Sequence, residues 1–148
     1  MKKLLFTILI YLLIVPACRK PNTNSNGLSG SWKLIEVYDK STATTSFPPA
    51  GSNKDVIITF RNGNSFSGNT LVNTVSDGTF TLTDNKITFG SFSMTKVMED
   101  SWGGSFLTVL HACPLQSIHP CAPSEITIEG NKMKIYSVLR YNITLQKL

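Results

Sequence analysis

The chain has 148 residues with 14 Lys+Arg against 9 Asp+Glu, a formal net charge of +5, and 41% hydrophobic content. That length allows one ordinary domain, and the apolar content and spread of aromatics exclude disorder for most of the chain. Four of the basic residues (Lys2, Lys3, Arg19 and Lys20) lie in the first 20 positions, leaving 10 against 9. The remainder is nearly neutral and has no Lys/Arg patch of the kind a nucleic-acid-binding surface needs.

The N-terminus reads as an address. Lys2 and Lys3 precede an apolar run, Leu4 to Val15, interrupted only by Thr7 and Tyr11. Twelve residues span roughly 18 Å as a helix, short of the roughly 30 Å hydrocarbon core, which disfavours a permanent transmembrane helix and fits a signal peptide. Val15-Pro16-Ala17-Cys18 follows. It resembles the lipobox of bacterial lipoproteins, in which the cysteine after a small residue is acylated and becomes the mature N-terminus. Pro16 stands where that motif prefers Ala or Ser. The resemblance makes residues 1–17 a lipoprotein signal peptide and Cys18 the lipid attachment site. The alternative is an ordinary signal peptide cleaved near a cysteine. Two or three acyl chains hold a membrane far more firmly than one, at ~0.8 kcal/mol per buried methylene, and Arg19 and Lys20 would assist at anionic headgroups. Residues Pro21 to Gly27 are polar and aperiodic, and with Cys18 they form a flexible tether whose polar stretch reaches at most ~25 Å. No acidic cluster follows Cys18. The expected location is therefore the bacterial cell envelope, lipid-anchored and periplasm-facing, at the outer membrane before the inner.

From Leu28 to Leu148 the dominant period is two, punctuated by Asn, Asp and Gly, which predicts strands. The opening Gly30-Ser31-Trp32-Lys33-Leu34 slips phase to Ile35 and Val37, as a β-bulge would. A three-residue Asn62-Gly63-Asn64 loop sets Phe60 opposite Phe66. A hairpin at Asp84-Asn85 pairs Leu82 with Ile87 and Phe80 with Phe89. A second phase slip, across Gly90-Ser91, predicts another bulge. Trp102, Phe106, Val109/Leu110 and Cys113 recur at helical spacing after Asp100 or Ser101 as N-cap; Gly103-Gly104 weakens that helix by roughly 1 kcal/mol per glycine. A glycine-containing strand is the alternative. The Gly130-Asn131 turn sets Ile128 opposite Met133 and Ile126 opposite Ile135, with Glu129 facing Lys132 on the solvent side. The last strand alternates Tyr141, Ile143 and Leu145 inward with Arg140, Asn142, Thr144 and Gln146 outward. The expected fold is all-β: a small antiparallel barrel of about seven or eight strands, closed or nearly so, with one short helix plugging one end.

Several stretches are similar to the META domain: Phe66-Ser67-Gly68-Asn69 through Asn73, Gly78-Thr79-Phe80-Thr81-Leu82, Ile87-Thr88-Phe89 and Met94-Thr95-Lys96-Val97-Met98. That family includes bacterial heat-shock-associated envelope proteins and often carries a lipoprotein signal. The resemblance covers roughly Leu28 to Leu148 and implies a META-like barrel over residues 28–148. Many members place a Cys before the Asn of the first motif and another after the T-[KR]-M segment. Here Val72 and Glu99-Asp100 stand at those places, so any such bridge has no counterpart. A lipocalin-like lipoprotein competes, because Gly30-Ser31-Trp32 also resembles the lipocalin G-x-W strand.

The candidate chemistry is sparse. His111-Ala112-Cys113 and His119-Pro120-Cys121 could supply four ligands to zinc. An exported chain meets an oxidising compartment, and C-x7-C spacing favours a Cys113–Cys121 disulfide, worth ~2.5 kcal/mol on the chain-entropy model; free thiols complete the alternatives. Gly103-Gly104-Ser105-Phe106 is not a nucleophile elbow. Asp77, Asp84, Glu125 and Glu129 read as turn and solvent residues, Glu99-Asp100 as a helix N-terminus, and Trp32 and Trp102 as core. No catalytic, cofactor-binding or metal-binding residues are expected. The expectation is a non-enzymatic, monomeric envelope lipoprotein acting in envelope maintenance, stress tolerance or protein interaction. Its partners would be the membrane, through the acyl chains, and an envelope protein. A carrier of a small apolar ligand is the second reading.

Overall fold

The computed structural model describes residues 27–111 and 122–148. The expectations for Cys18, Cys113, Cys121 and the signal segment lie outside these residues. In chain order the elements are β1 (Gly30–Asp39), β2 (Thr44–Ser46), β3 (Ile57–Arg61), β4 (Ser65–Asn69), β5 (Thr74–Thr83), β6 (Lys86–Phe89) and β7 (Ser93–Met94). Helix α1 (Ser101–Leu110) and strands β8 (Ser124–Glu129), β9 (Lys132–Tyr136) and β10 (Tyr141–Lys147) follow. Eight strands form the wall in the order β1-β3-β4-β5-β6-β8-β9-β10, and β10 pairs back onto β1 to close it. All pairings are antiparallel, as short hairpin connections require. Among the described residues no helix is long and apolar enough to cross a membrane.

Local chemistry fixes the registers. Gly63 and Asn64 adopt φ of 79° and 58°, Asp84 54° and Gly130 60°, the left-handed values that tight turns need and that Gly, Asn and Asp tolerate. Phe60 accordingly faces Phe66, Leu82 faces Ile87, and Ile128 faces Met133 with Glu129 opposite Lys132.

The bulge expected in β1 is present, between Leu34 and Glu36 opposite β10, but two details differ from the sequence reading. Ile35 is the extra residue and is only half-buried, while Leu34 and Val37 are buried. At Gly90-Ser91 there is no bulge against β5. The strands β6 and β7 on either side keep one common register, Phe80 opposite Phe89 and Ser76 opposite Ser93. The extra residue lies across the ladder in β5, where Phe66 faces Gly78 but Gly68 faces Val75. Asp77 absorbs it at φ 54°. Gly90 serves close approach instead, since a Cβ there would meet Thr79 Oγ1 at 2.4 Å.

The barrel interior is filled. Trp32, Phe60, Phe66, Phe89, Phe106 and Met133 are fully buried. Phe60 and Phe80 meet edge to face at 5.2 Å between centroids, as do Phe66 and Phe89 at 5.4 Å, the geometry the ring quadrupoles favour. The indole N–H of Trp32 donates to the Leu28 carbonyl at 2.8 Å, so its one polar atom is satisfied. Helix α1 packs on β10 and β1 and buries Trp102, Phe106, Val109 and Leu110. Its N-cap is Asp100, whose Oδ1 accepts from the N–H groups of Trp102 and Gly103. The antiparallel registers put the 62–64, 84–85 and 130–131 turns at one end of the barrel. Gly27 and Leu148 share that end: Lys147 N–H donates to Asn131 O at 2.8 Å and Leu148 N–H to Ser31 O at 2.9 Å. The start of α1 and the 70–73 and 137–140 connections occupy the opposite end.

Candidate functional site

Two polar assemblies stand out, one buried and one open. The buried one ties the loop after β4 to the segment before α1. Asn73, 2% exposed, uses its whole amide. Its Oδ1 accepts from Val97 N–H at 2.8 Å and Thr95 Oγ1 at 3.0 Å, and its Nδ2 donates to Val97 O at 2.9 Å and Glu99 Oε2 at 2.8 Å. Thr70 Oγ1 donates to the same Glu99 oxygen at 2.7 Å. Glu99 Oε1 is buried and has no partner. The cluster joins the loop after β4 to the segment before α1 by hydrogen bonds.

The open assembly lies on the outer wall where β1, β10 and β9 run side by side. Alternation sends Val37, Ile143 and Ile135 inward and their sequence neighbours outward. One rung across the three strands is Tyr38–Asn142–Tyr136 and the next is Glu36–Thr144–Lys134. Together with Ile143 these six side chains line a cleft of about 260 Å³. Tyr38 and Tyr136 are 36% and 41% exposed and stand on either side of Asn142. Thr144, expected as a solvent-facing residue, is 5% exposed because it lies on the floor, where its Oγ1 donates to Glu36 Oε1 at 3.2 Å. Asn142 Oδ1 is buried and has no hydrogen-bond partner.

The mouth of this cleft is pinned at the end where α1 starts. Arg140 Nε donates to both oxygens of Asp39 at 2.9 Å, Lys40 N–H donates to Arg140 O at 3.0 Å, and Lys40 Nζ donates to Ser137 O at 2.7 Å. The Arg140 guanidinium lies 5.1 Å over the Tyr141 ring. Hydrogen bonding from Arg140 holds the Asp39 carboxyl well below the usual carboxylate range, and Asp39 raises Arg140 in return. These contacts connect the turn after β1 to the turn before β10 and so tie the strand ends together beside the Tyr38–Asn142–Tyr136 rung.

Two smaller clefts also lie on the described surface. One of about 180 Å³ lies between Pro48, Pro49 and Trp102 beside the Lys33–Asp55 ion pair at 2.7 Å. The other, about 100 Å³, is lined by Leu28, Phe60 and the 61–64 turn. Neither contains an unpartnered buried polar atom. Asp77, Asp84, Glu125 and Glu129 are exposed and separate, and among the described residues no three His, Cys, Asp or Glu side chains gather as metal ligands would.

A small antiparallel barrel, closed by its last strand and plugged by a helix, is the class of protein this geometry defines. The family model described as META domain matches residues 26–112, more than half of the chain, and the chain belongs to the META domain family. With that match the likeness of Gly30-Ser31-Trp32 to a lipocalin strand needs no separate reading; Trp32 lies in the barrel core. The fold is similar to that of a protein from Burkholderia xenovorans solved by NMR (18% identity, TM-score 0.59, 84% of this chain and 86% of that one). It is also similar to a crystal structure of a DUF4847 family protein from Bacteroides vulgatus ATCC 8482 (16% identity, TM-score 0.54, 80% of this chain and 92% of that one). A comparison with curated proteins finds no match.

Proposed function

We propose that this protein is a membrane-anchored periplasmic lipoprotein, non-enzymatic, whose META barrel acts in envelope maintenance, stress tolerance or protein interaction. The observation that carries the reading is Val15-Pro16-Ala17-Cys18 after a dibasic start and a short apolar run, a few residues ahead of the META match. The geometry supports it. Gly27, the first described residue, sits at the turn end of the barrel, so a tether from Cys18 would place that end toward the membrane and the α1 end outward. The side chains filling the interior favour work at the outer surface over carriage of a ligand inside the barrel. Cys113 and Cys121 would bridge after export.

Labelling of growing cells with radioactive palmitate tests the anchor. Wild type should be labelled and Cys18→Ala should not; equal labelling of both would remove the anchor. A deletion strain should become sensitive to heat or detergent and be rescued by wild type but not by Cys18→Ala. Thiol counting on the exported chain, denatured without reductant, should find Cys113 and Cys121 unreactive.

A further inference from the structure

Asn142 Oδ1 is a buried side-chain atom without a partner whose side chain lines an open cleft, whereas Glu99 and Ser124, which also carry such atoms, line none of the three clefts above. We propose that this cleft is a carbohydrate-binding site, taking one pyranose ring of a glycan between Tyr38 and Tyr136, above Asn142. The proposal does not rest on the lipid anchor.

The residue chemistry selects the ligand. Tyr38 and Tyr136 flank Asn142 on neighbouring strands, so their backbones stand about 10 Å apart. A ring held between two aromatic faces needs about 7–8 Å, two carbon–carbon contact distances. A cleft of about 260 Å³ lies just below the roughly 300 Å³ at which small-molecule sites begin, which suits one ring of a longer chain. Glu36 and Lys134 face each other across Thr144. Their charges cancel, so the site favours a neutral ligand offering donors on one edge and acceptors on the other. A hydroxyl does both. The apolar C–H faces of a pyranose suit the tyrosine rings, and one hydroxyl donated to Asn142 Oδ1 would satisfy an atom that is otherwise costly to bury. A peptide added as an extra strand is a poorer fit. That mode needs a free sheet edge, whereas β10 is paired on both sides by β1 and β9. Recognition at this floor must therefore come from side chains.

The test uses the full chain in a zwitterionic detergent that contains no sugar. Amide NMR spectra would be recorded with chitotetraose, cellotetraose and maltotetraose at millimolar concentration, and with a neutral tetrapeptide. At least one saccharide should shift the resonances of Tyr38, Tyr136 and Asn142 with a millimolar dissociation constant, and the peptide should not. Tyr136→Ala, at a half-exposed position, should keep the melting temperature and weaken binding by about tenfold. Asn142→Ala should weaken it as well, and Lys134→Gln provides a third variant should either of these fail to fold. The proposal is overturned if no saccharide shifts these resonances, if the shifts fall elsewhere, if the peptide alone binds there, or if the folded variants bind as tightly as wild type.

Discussion

Gly103 and Gly104 are neighbours in the first turns of α1, yet a methyl group added to each meets different surroundings. At Gly103 it would lie 2.3 Å from Glu99 Oε1 and 2.9 Å from Thr70 Cβ. Glu99 cannot swing away without losing its bonds to Thr70 and Asn73. At Gly104 the nearest atom is Glu99 Cγ at 3.8 Å, an ordinary contact. Gly103→Ala should therefore destabilise by about 1–3 kcal/mol, and Gly104→Ala should stabilise by up to about 1 kcal/mol through helix propensity and reduced unfolded-state entropy. Chemical denaturation of the pair checks the opposite signs. At Asp39 the folded pKa is depressed, chiefly by hydrogen bonding from Arg140. Its contribution is thus fully present above the unfolded value of about 3.9 and is lost as pH falls through the folded one. The gap in melting temperature between wild type and Asp39→Asn should be constant near neutrality and shrink below about pH 4. A gap that widens on acidification would contradict the pairing.

At the scale of elements, what could be read from sequence is what is locally determined. The three hairpin registers follow from turn residues and from apolar alternation a few positions away, so Phe60–Phe66, Phe80–Phe89 and Ile126–Ile135 could be paired in advance. Helix α1 was legible for the same reason: its N-cap Asp100 and the apolar spacing of its ten residues are contiguous in sequence. The bulge at Asp77 was not, because a single extra residue shows only against its partner strand, and Asp in a strand looks like solvent chemistry. Strands β2 and β7, with three and two residues, are too short to show a period. The cleft was invisible for a stronger reason, since its six polar and aromatic residues come from three strands, with β1 far from the β9–β10 hairpin in sequence. Thr144 and Asn142 look like ordinary outward positions of β10 until their neighbours stand beside them. Asn73 was visible only as part of a turn motif, although it clasps Val97 through both backbone groups. Asn73→Ala would strip partners from the buried Glu99 and from the Val97 backbone together, and should cost about 2–4 kcal/mol, more than one neutral hydrogen bond. Asp100→Ala removes the N-cap alone and should cost about 0.5–2 kcal/mol. Urea titrations of both variants check the ranking.

For the whole molecule, the helix decides whether the barrel is a container or a solid. An eight-stranded wall can be filled by side chains or hold one small ligand, and here Phe106, Val109 and Leu110 reach the core beside Trp32 and Leu145 with essentially no exposure. Phe106→Ala removes the largest fully buried side chain of the helix. It should cost about 3–5 kcal/mol and lower the melting temperature by more than about 10 °C, with Phe106→Leu falling between. The cavity it leaves is walled by apolar side chains and should stay dry. Benzene should then raise the melting temperature of Phe106→Ala and leave that of wild type unchanged. A wild-type protein that benzene or a fatty acid stabilises as strongly as the variant would mean that the interior yields to ligands, and the surface would lose its place as the working part of the molecule.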